Sequence, residues 1–329
     1  MIKASAPGRA GIVGNPTDMY GGNVISCSIN ERAYCHLTSS VKLTIRVSGD
    51  EIEVSDPGGL ALDGGMFDLA KAAIKAFEID PAVAGFSLNT WTDVPEQAGL
   101  AGSTVMLATI VGCLATHFDL NLNKYELAET IRQIEAETMK IMCGYQDQYM
   151  AVFGGLNFMD FRGKEWMKPL CEEPFATVEP LSDFVGEIPL ILAHTGIKRN
   201  SGTVHRSLRE RWLHKEKVVI DGYTRIAELG RMGKKALLEE DWVALGKLMN
   251  ENHAIQRDLG GSGEVNEVLI QVALENGAFG AKLAGAGKGG TIIALTDKPD
   301  VMAKALLDAG AERIMSVQPA DGLVIEREW

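Results

Sequence analysis

Residues 95–104 read Pro-Glu-Gln-Ala-Gly-Leu-Ala-Gly-Ser-Thr and run straight into an apolar stretch, 105–114. Gly99 and Gly102 carry no Cβ, so the backbone around them can approach an anion closely. A helix that starts directly afterwards directs unpaired N–H groups at that anion. Ser103 and Thr104 add hydroxyls suited to a phosphate or a divalent cation. An ordinary helix cap needs only one of these hydroxyls and no glycine pair, so phosphate holding is the better account. No Gly-Lys-Ser/Thr follows, and the loop is therefore not a Walker A element.

Two further glycine-bearing segments stand out. In residues 6–22 (APGRAGIVGNPTDMYGG), Arg9 and Asp18 lie nine residues apart among turn formers. The arginine can clamp a phosphate and the aspartate can accept hydrogen bonds from neighbouring hydroxyls. A loop between two strands carrying a surface ion pair is the plainer alternative. The second segment, 285–290 (GAGKGG), formally matches the dinucleotide-binding G-x-G-x-x-G. That fingerprint needs a helix immediately after it, whereas residues 291–295 (TIIAL) read as a strand and too little chain remains for such a domain. A tight glycine turn that brings backbone to the site fits better, with Gly285 and Gly287 as its contacts.

The elements that must position these groups mix strand and helix throughout. Strand patterns cover 33–38, 42–48 and 51–55, with a hairpin turn at Gly49-Asp50. Helical periodicity covers 66–78, an apolar helix 103–117, and an acidic amphipathic helix 124–142. Strands are expected at 86–91, 157–161 and 188–193. Helices are expected at 202–234, 239–258 and 264–276, then strands at 281–285 and 290–295, a helix at 298–309 and two short strands. The turn-rich stretch 162–185 is the best boundary, giving domains 1–185 and 186–329. Antiparallel hairpin signals favour an α+β fold over a doubly wound sheet.

Composition narrows the function. A net charge of −12 argues against nonspecific nucleic-acid binding, so positive potential for an anionic ligand must be concentrated locally. No apolar run is long enough to span a bilayer, and the N-terminus lacks a secretory signal. Five scattered cysteines without a CxxC pair point to a reducing cytoplasm, not a disulfide frame or a zinc site. Residues 198–217 hold seven Lys/Arg against two acids. This stretch is either a solvated face or an anion site, with Arg206 and Arg209 the preferred contacts; Val204, Leu208 and Trp212, four apart, would face the core.

Together the three glycine elements resemble the GHMP kinase superfamily, and the resemblance covers nearly the whole chain. Residues 7–22 resemble the galactokinase signature PGR-x-x-x-x-G-x-x-TD-x-x-GG, residues 95–103 the family's phosphate loop, and residues 285–290 its C-terminal glycine motif. Residues 144–157 are similar to the sugar anomeric kinases, including heptose 7-phosphate kinase, while 14–20 and 201–212 are closer to glucuronokinase. The chain departs from the galactokinase pattern at Asn15-Pro16, from the usual Ser-Ser-Ala at Gly102-Ser103-Thr104, and at Lys288.

The resemblance implies a two-domain GHMP kinase fold with mixed and antiparallel sheets and an active-site cleft between the domains. It implies an ATP- and Mg²⁺-dependent kinase that phosphorylates the anomeric hydroxyl of an acidic or phosphorylated sugar, working as a monomer or homodimer without nucleic acid or membrane. By the same resemblance Asp147 is the general base, in a loop after the acidic helix, and Arg9 orients the hydroxyl. Asn15, Asp18 and Arg209 contact the substrate. Pro95, Gly99, Leu100, Ala101, Gly102, Ser103, Thr104, Gly285 and Gly287 hold ATP. Ser103 and Glu135 hold Mg²⁺, with Glu137 a substitute that points to another helix face. A kinase for a non-sugar alcohol and a non-catalytic ATP- and sugar-binding sensor are the competing readings; retention of Arg9, Ser103, Glu135 and Asp147 argues against the sensor. No GxSxG elbow supports a serine hydrolase.

Overall fold

The computed structural model describes residues 1–164, 172–197, 208–285, 287 and 290–328. Strand β1 (Ile2–Val13) pairs antiparallel with the long β2 (Asn23–Ser39), and β5 (Phe86–Thr92) lies on the other side of β2. The hairpin β3 (Leu43–Val47) and β4 (Asp50–Val54) adds to β5, with β3 parallel to it. The hairpin turns on Ser48 and Gly49, both at positive φ, because Val47 pairs with Asp50; the pair Gly49-Asp50 is one residue out of register. At its other end β2 pairs with β6 (Leu156–Asp160), which pairs with β7 (Thr177–Pro180); with the last strand of the chain the sheet has eight strands.

Residues 7–13 belong to β1 and not to a loop, which corrects the plainer reading of the first glycine segment. Pro7 has no N–H to give the ladder, and the register with β2 shifts between Pro7 and Arg9. Such a bulge re-aims the side chain that follows it, here Arg9.

The apolar α2 (Gly102–His117) packs on the sheet, and helix α1 (Asp68–Ala76) packs on α2. Eleven of the α2 residues are buried, so it is a central helix with no continuous solvent face. Helix α3 (Lys124–Gln133) starts with a capping box between Asn123 and Glu126. It stops nine residues before the expected end: Ile134–Thr138 widen into a π turn, closed by Met139 N–H on the Ile134 carbonyl at 2.9 Å. Helix α4 (Gln146–Phe153) follows.

The second half builds a four-stranded antiparallel sheet from β8 (Leu190–His194), β9 (Gly280–Leu283), β10 (Thr291–Leu295) and β11 (Arg313–Ser316). Helix α5 (Lys217–Leu238) precedes α6 (Trp242–Asp258), α7 (Glu264–Glu275) and α8 (Pro299–Asp308), and the last three pack on this sheet. Ile191, Ala193 and Ile292 face α7 and α8 through Leu269, Ile270, Met302 and Leu306. Leu192, Ile293 and Leu295 on the opposite face join the core of the first sheet. Helix α5 lies on β1 and β2, where Gly233 fits against Val13; an added Cβ would stand 2.6 Å from Val13 Cγ1.

The helical stretch expected at 202–234 is divided. Residues 208–213 are helical, Lys215 takes positive φ, and α5 starts at Lys217; residues 202–207, with Val204 and Arg206, lie outside the described residues. Leu208 is buried and Trp212 packs on Tyr20. The final strand β12 (Val324–Arg327) returns to pair with β1, so the chain crosses the division at 185/186 once more before it ends.

Candidate active site

The loop before α2 carries three residues at positive φ, Gln97 (52°), Gly99 (76°) and Ala101 (67°). Ala101 is the residue at the start of α2, and no side chain caps that end. Its free N–H groups and the exposed Ser103 form one wall of a cleft of about 600 Å³. Arg9, Asn15, Asp18, Glu135 and Asp147 line the same cleft, with Gly285 from the second half.

Arg9 is buried and spends its whole fork within this cleft. Nε and Nη2 donate to Asp147 Oδ1 at 2.8 and 2.5 Å, and Nη1 donates to the Gly99 carbonyl at 2.6 Å. One side chain on β1 thus ties the backbone of the loop before α2 to the carboxylate.

Asp147 sits in the first turn of α4, not in a loop. Local sequence hides this helix start because its cap is remote. Asp18 Oδ2 accepts from the Tyr145 and Gln146 N–H groups at 2.8 and 3.1 Å. Gly144 makes that approach possible: a Cβ there would collide with Asp18 Oδ2.

Glu135 lies within the π turn and is buried, while Glu137 is exposed and bonded to Gln133. Thr104 Oγ1 donates to Glu135 Oε1 at 2.7 Å, and Gln148 Nε2 donates to the other oxygen. Burial, with the Asp147 charge adding to it, pushes the Glu135 carboxyl above its ordinary range. A cation beside it would offset that cost. Among the described residues no cluster of three or more His, Cys, Asp or Glu forms a closed metal cage. One buried carboxylate with a neighbouring hydroxyl is a donor set that fits Mg²⁺, which keeps waters and takes phosphate oxygens.

Residues 68–155 match the model of the GHMP kinases N terminal domain, and residues 234–312 that of the GHMP kinases C terminal domain, together more than half of the chain. The chain belongs to the GHMP kinases. It is 29% identical over 331 residues to glucuronokinase 1 of Arabidopsis thaliana, covering 94% of this chain and 89% of that protein. It is 28% identical over 312 residues to the D-glycero-alpha-D-manno-heptose 7-phosphate kinase of Campylobacter jejuni, covering 90% and 89%. The fold is shared with a galactose-bound Lactococcus lactis galactokinase at a TM-score of 0.78 and 19% identity, covering 98% and 95%. This GHMP kinase is accordingly an ATP-dependent phosphotransferase with an alcohol acceptor, and its fold is the α+β arrangement of the family.

Within the GHMP kinase cleft, Arg9, Asn15, Asp18, Gly99, Ala101, Gly102, Ser103, Thr104, Glu135, Asp147 and Gly285 come together. Four other residues expected at the site do not line it. Leu100 turns its side chain fully into the core while its carbonyl accepts from the Arg9 N–H at 3.1 Å. Pro95 lies at the outer end of the loop, off the wall. Gly287 fits against the Gly261 backbone, where a Cβ would collide with the Gly261 carbonyl. Arg209 stands behind Met142, with Nη1 at 3.4 Å from the Met142 sulfur; Met142 itself faces the cleft. Arg206 and Lys288 are outside the described residues.

Sequence reasoning missed Gln148, Lys282 and Asn252. Lys282 is fully buried in β9 and donates to Asn15 Oδ1 at 2.8 Å. Asn252 on α6 accepts from the Gly14 N–H at 2.9 Å and donates to the Asn15 carbonyl at 3.1 Å. The one available signal was the charge of Lys282 inside an apolar strand, Gly280–Leu283. Among the described residues no helix is long and apolar enough to cross a membrane.

Proposed function

We propose that this GHMP kinase transfers the γ-phosphoryl group of ATP to the anomeric hydroxyl of an acidic or phosphorylated sugar, as a glucuronokinase-like sugar kinase. One observation carries the catalytic part: Asp147 is held by Arg9 inside a cleft that the start of α2 also lines. The acceptor class is supported by the two relatives above, named for a sugar acid and a sugar phosphate.

The phosphate chain of ATP lies against the N–H groups of residues 99–104, where the start of α2 favours negative charge. Ser103 and Glu135 are the groups that would hold Mg²⁺, which when bound neutralises phosphate charge. Arg9 occupies Oδ1 of Asp147, so Oδ2 receives the acceptor proton. The sugar oxygen forms its bond to the γ-phosphorus as the bond from that phosphorus to the β,γ-bridging oxygen breaks, releasing ADP. Arg9 also places positive charge beside the transferring group. Asn15 and Asp18 line the side of the cleft where the sugar binds, and Arg209 acts on that side through Met142.

The test is ADP release across glucuronate, galacturonate, heptose 7-phosphate, fucose, arabinose, galactose and mevalonate. An acidic or phosphorylated sugar should give the highest kcat/KM by at least ~10-fold and lose its reducing end as product forms. Preferred turnover of mevalonate, or a product that still reduces, rules out the proposal.

A further inference from the structure

We infer that Lys282 is a positioning residue that fixes the side-chain amide of Asn15, so that Nδ2 presents a hydrogen-bond donor to a lone-pair oxygen of the sugar. The inference rests on the acceptor site proposed above, because it needs the acceptor to bind beside Asn15.

Lys282 lies between Ala281 and Leu283 on β9 and is completely buried. Among the described residues no carboxylate lies within ion-pair distance of it. Its Nζ donates to Asn15 Oδ1 at 2.8 Å and to the Leu283 carbonyl at 2.6 Å. Burying an ammonium without a counter-charge is costly, and an apolar side chain of the same length would pack there at less cost. The lysine therefore does something that packing alone does not require.

What it does follows from donor and acceptor types. An ammonium has three donors and no acceptor. The amide of Asn15 must then turn its oxygen toward Nζ and its nitrogen away. That nitrogen is buried and has no hydrogen-bond partner among the described residues, although Asn15 lines the cleft. The rest of Asn15 is held from three directions. Asn252 holds the backbone on both sides through the Gly14 N–H and the Asn15 carbonyl. Gly11 lies flat against the amide, where a Cβ would stand 2.7 Å from Asn15 Cγ. These contacts hold the amide in place. An unmet buried donor costs about 1–3 kcal/mol unless a ligand takes it. As a donor, this N–H selects an oxygen with free lone pairs, such as a carboxylate, phosphate or ring oxygen, over a group that offers only a proton.

The test is a double-mutant cycle with the best acceptor from the panel, recording kcat and both KM values for wild type, Lys282→Met, Asn15→Ala and the double variant. Each single substitution should raise the acceptor KM about 10-fold, with the ATP KM within about 2-fold of wild type. The double variant should be no worse than Asn15→Ala alone, because removing the lysine matters only through the amide. Additive losses near 100-fold, an equal rise in the ATP KM, or an unchanged acceptor KM in Lys282→Met overturns the inference. Should Lys282→Met fail to fold, Asn15→Asp decides the matter. That variant keeps an oxygen for the ammonium but loses the N–H, and must show the same ~10-fold rise; a wild-type acceptor KM in it is equally fatal. If only a non-sugar alcohol is turned over, the acceptor class proposed above fails, and the same comparisons made with that alcohol still decide the role of Lys282.

Discussion

Arg9 and Asp147, 138 residues apart in the chain, meet through two N–H donors on a single carboxylate oxygen, at 2.8 and 2.5 Å. The third arm of the same guanidinium reaches the Gly99 carbonyl. The loop before α2 and the Asp147 carboxylate are therefore indexed to one rigid fork on a strand. A shift of either partner moves the other, which is what in-line transfer between two bound substrates demands.

Asp147→Asn keeps an oxygen for Arg9 and removes the proton acceptor. We predict kcat at least ~10²-fold below wild type with ATP affinity within about 3-fold, measured by steady-state kinetics and nucleotide titration. Turnover close to wild type would remove Asp147 from the chemistry.

Gly144→Ala places a methyl group where Asp18 Oδ2 caps α4. The helix start must move or lose its cap, at about 2 kcal/mol or more. Both a lower Tm and a fall in kcat are expected, because Asp147 lies in the first turn of that helix. A variant with wild-type Tm and kcat contradicts the remote-cap account.

Ala101 holds φ near +67° at the start of α2, a conformation that costs a non-glycine residue roughly 1–2 kcal/mol. Ala101→Gly should raise the unfolding free energy by about 0.5–1 kcal/mol, read by urea denaturation. Destabilisation would show that the alanine methyl contributes packing that outweighs the strain.

Burial, followed by the nearby Arg9 charge, pushes the Lys282 ammonium from 10.5 down to about 7. His253 on α6 and Arg9 on β1 are the titratable or charged groups coupled to it. The unfolded chain keeps this proton up to pH 10.5, whereas the folded protein releases it near pH 7. Below pH 7 both states hold the proton and the folded state bears the full cost of a buried charge. That cost falls away as pH rises from 7 to 10.5. Lys282→Met should therefore be more stable than wild type at pH 6, by on the order of 3 kcal/mol. The advantage should shrink steadily toward pH 10 in chemical denaturation, and one that stays constant with pH contradicts the depressed lysine.

What the amino-acid sequence determined by itself was chemistry that is local along the chain. Gly99, Gly102, Ser103 and Thr104 mark a glycine turn into an apolar helix start, because backbone N–H groups and φ preferences need no distant partner. Period-two and 3.6-residue patterns located most strands and helices for the same reason. Tertiary structure alone decided which residues meet across the chain. Asp18 begins a helix 127 positions away, so the helix that carries Asp147 read as a loop. A π turn, invisible to a 3.6-residue period, put Glu135 inside and left Glu137 in solvent. Lys282 reaches Asn15 across 267 residues, and nothing near either residue in the sequence records that contact. Hydrogen bonds and burial depend on distance in space, and that distance exists only once the two sheets and their shared core are assembled.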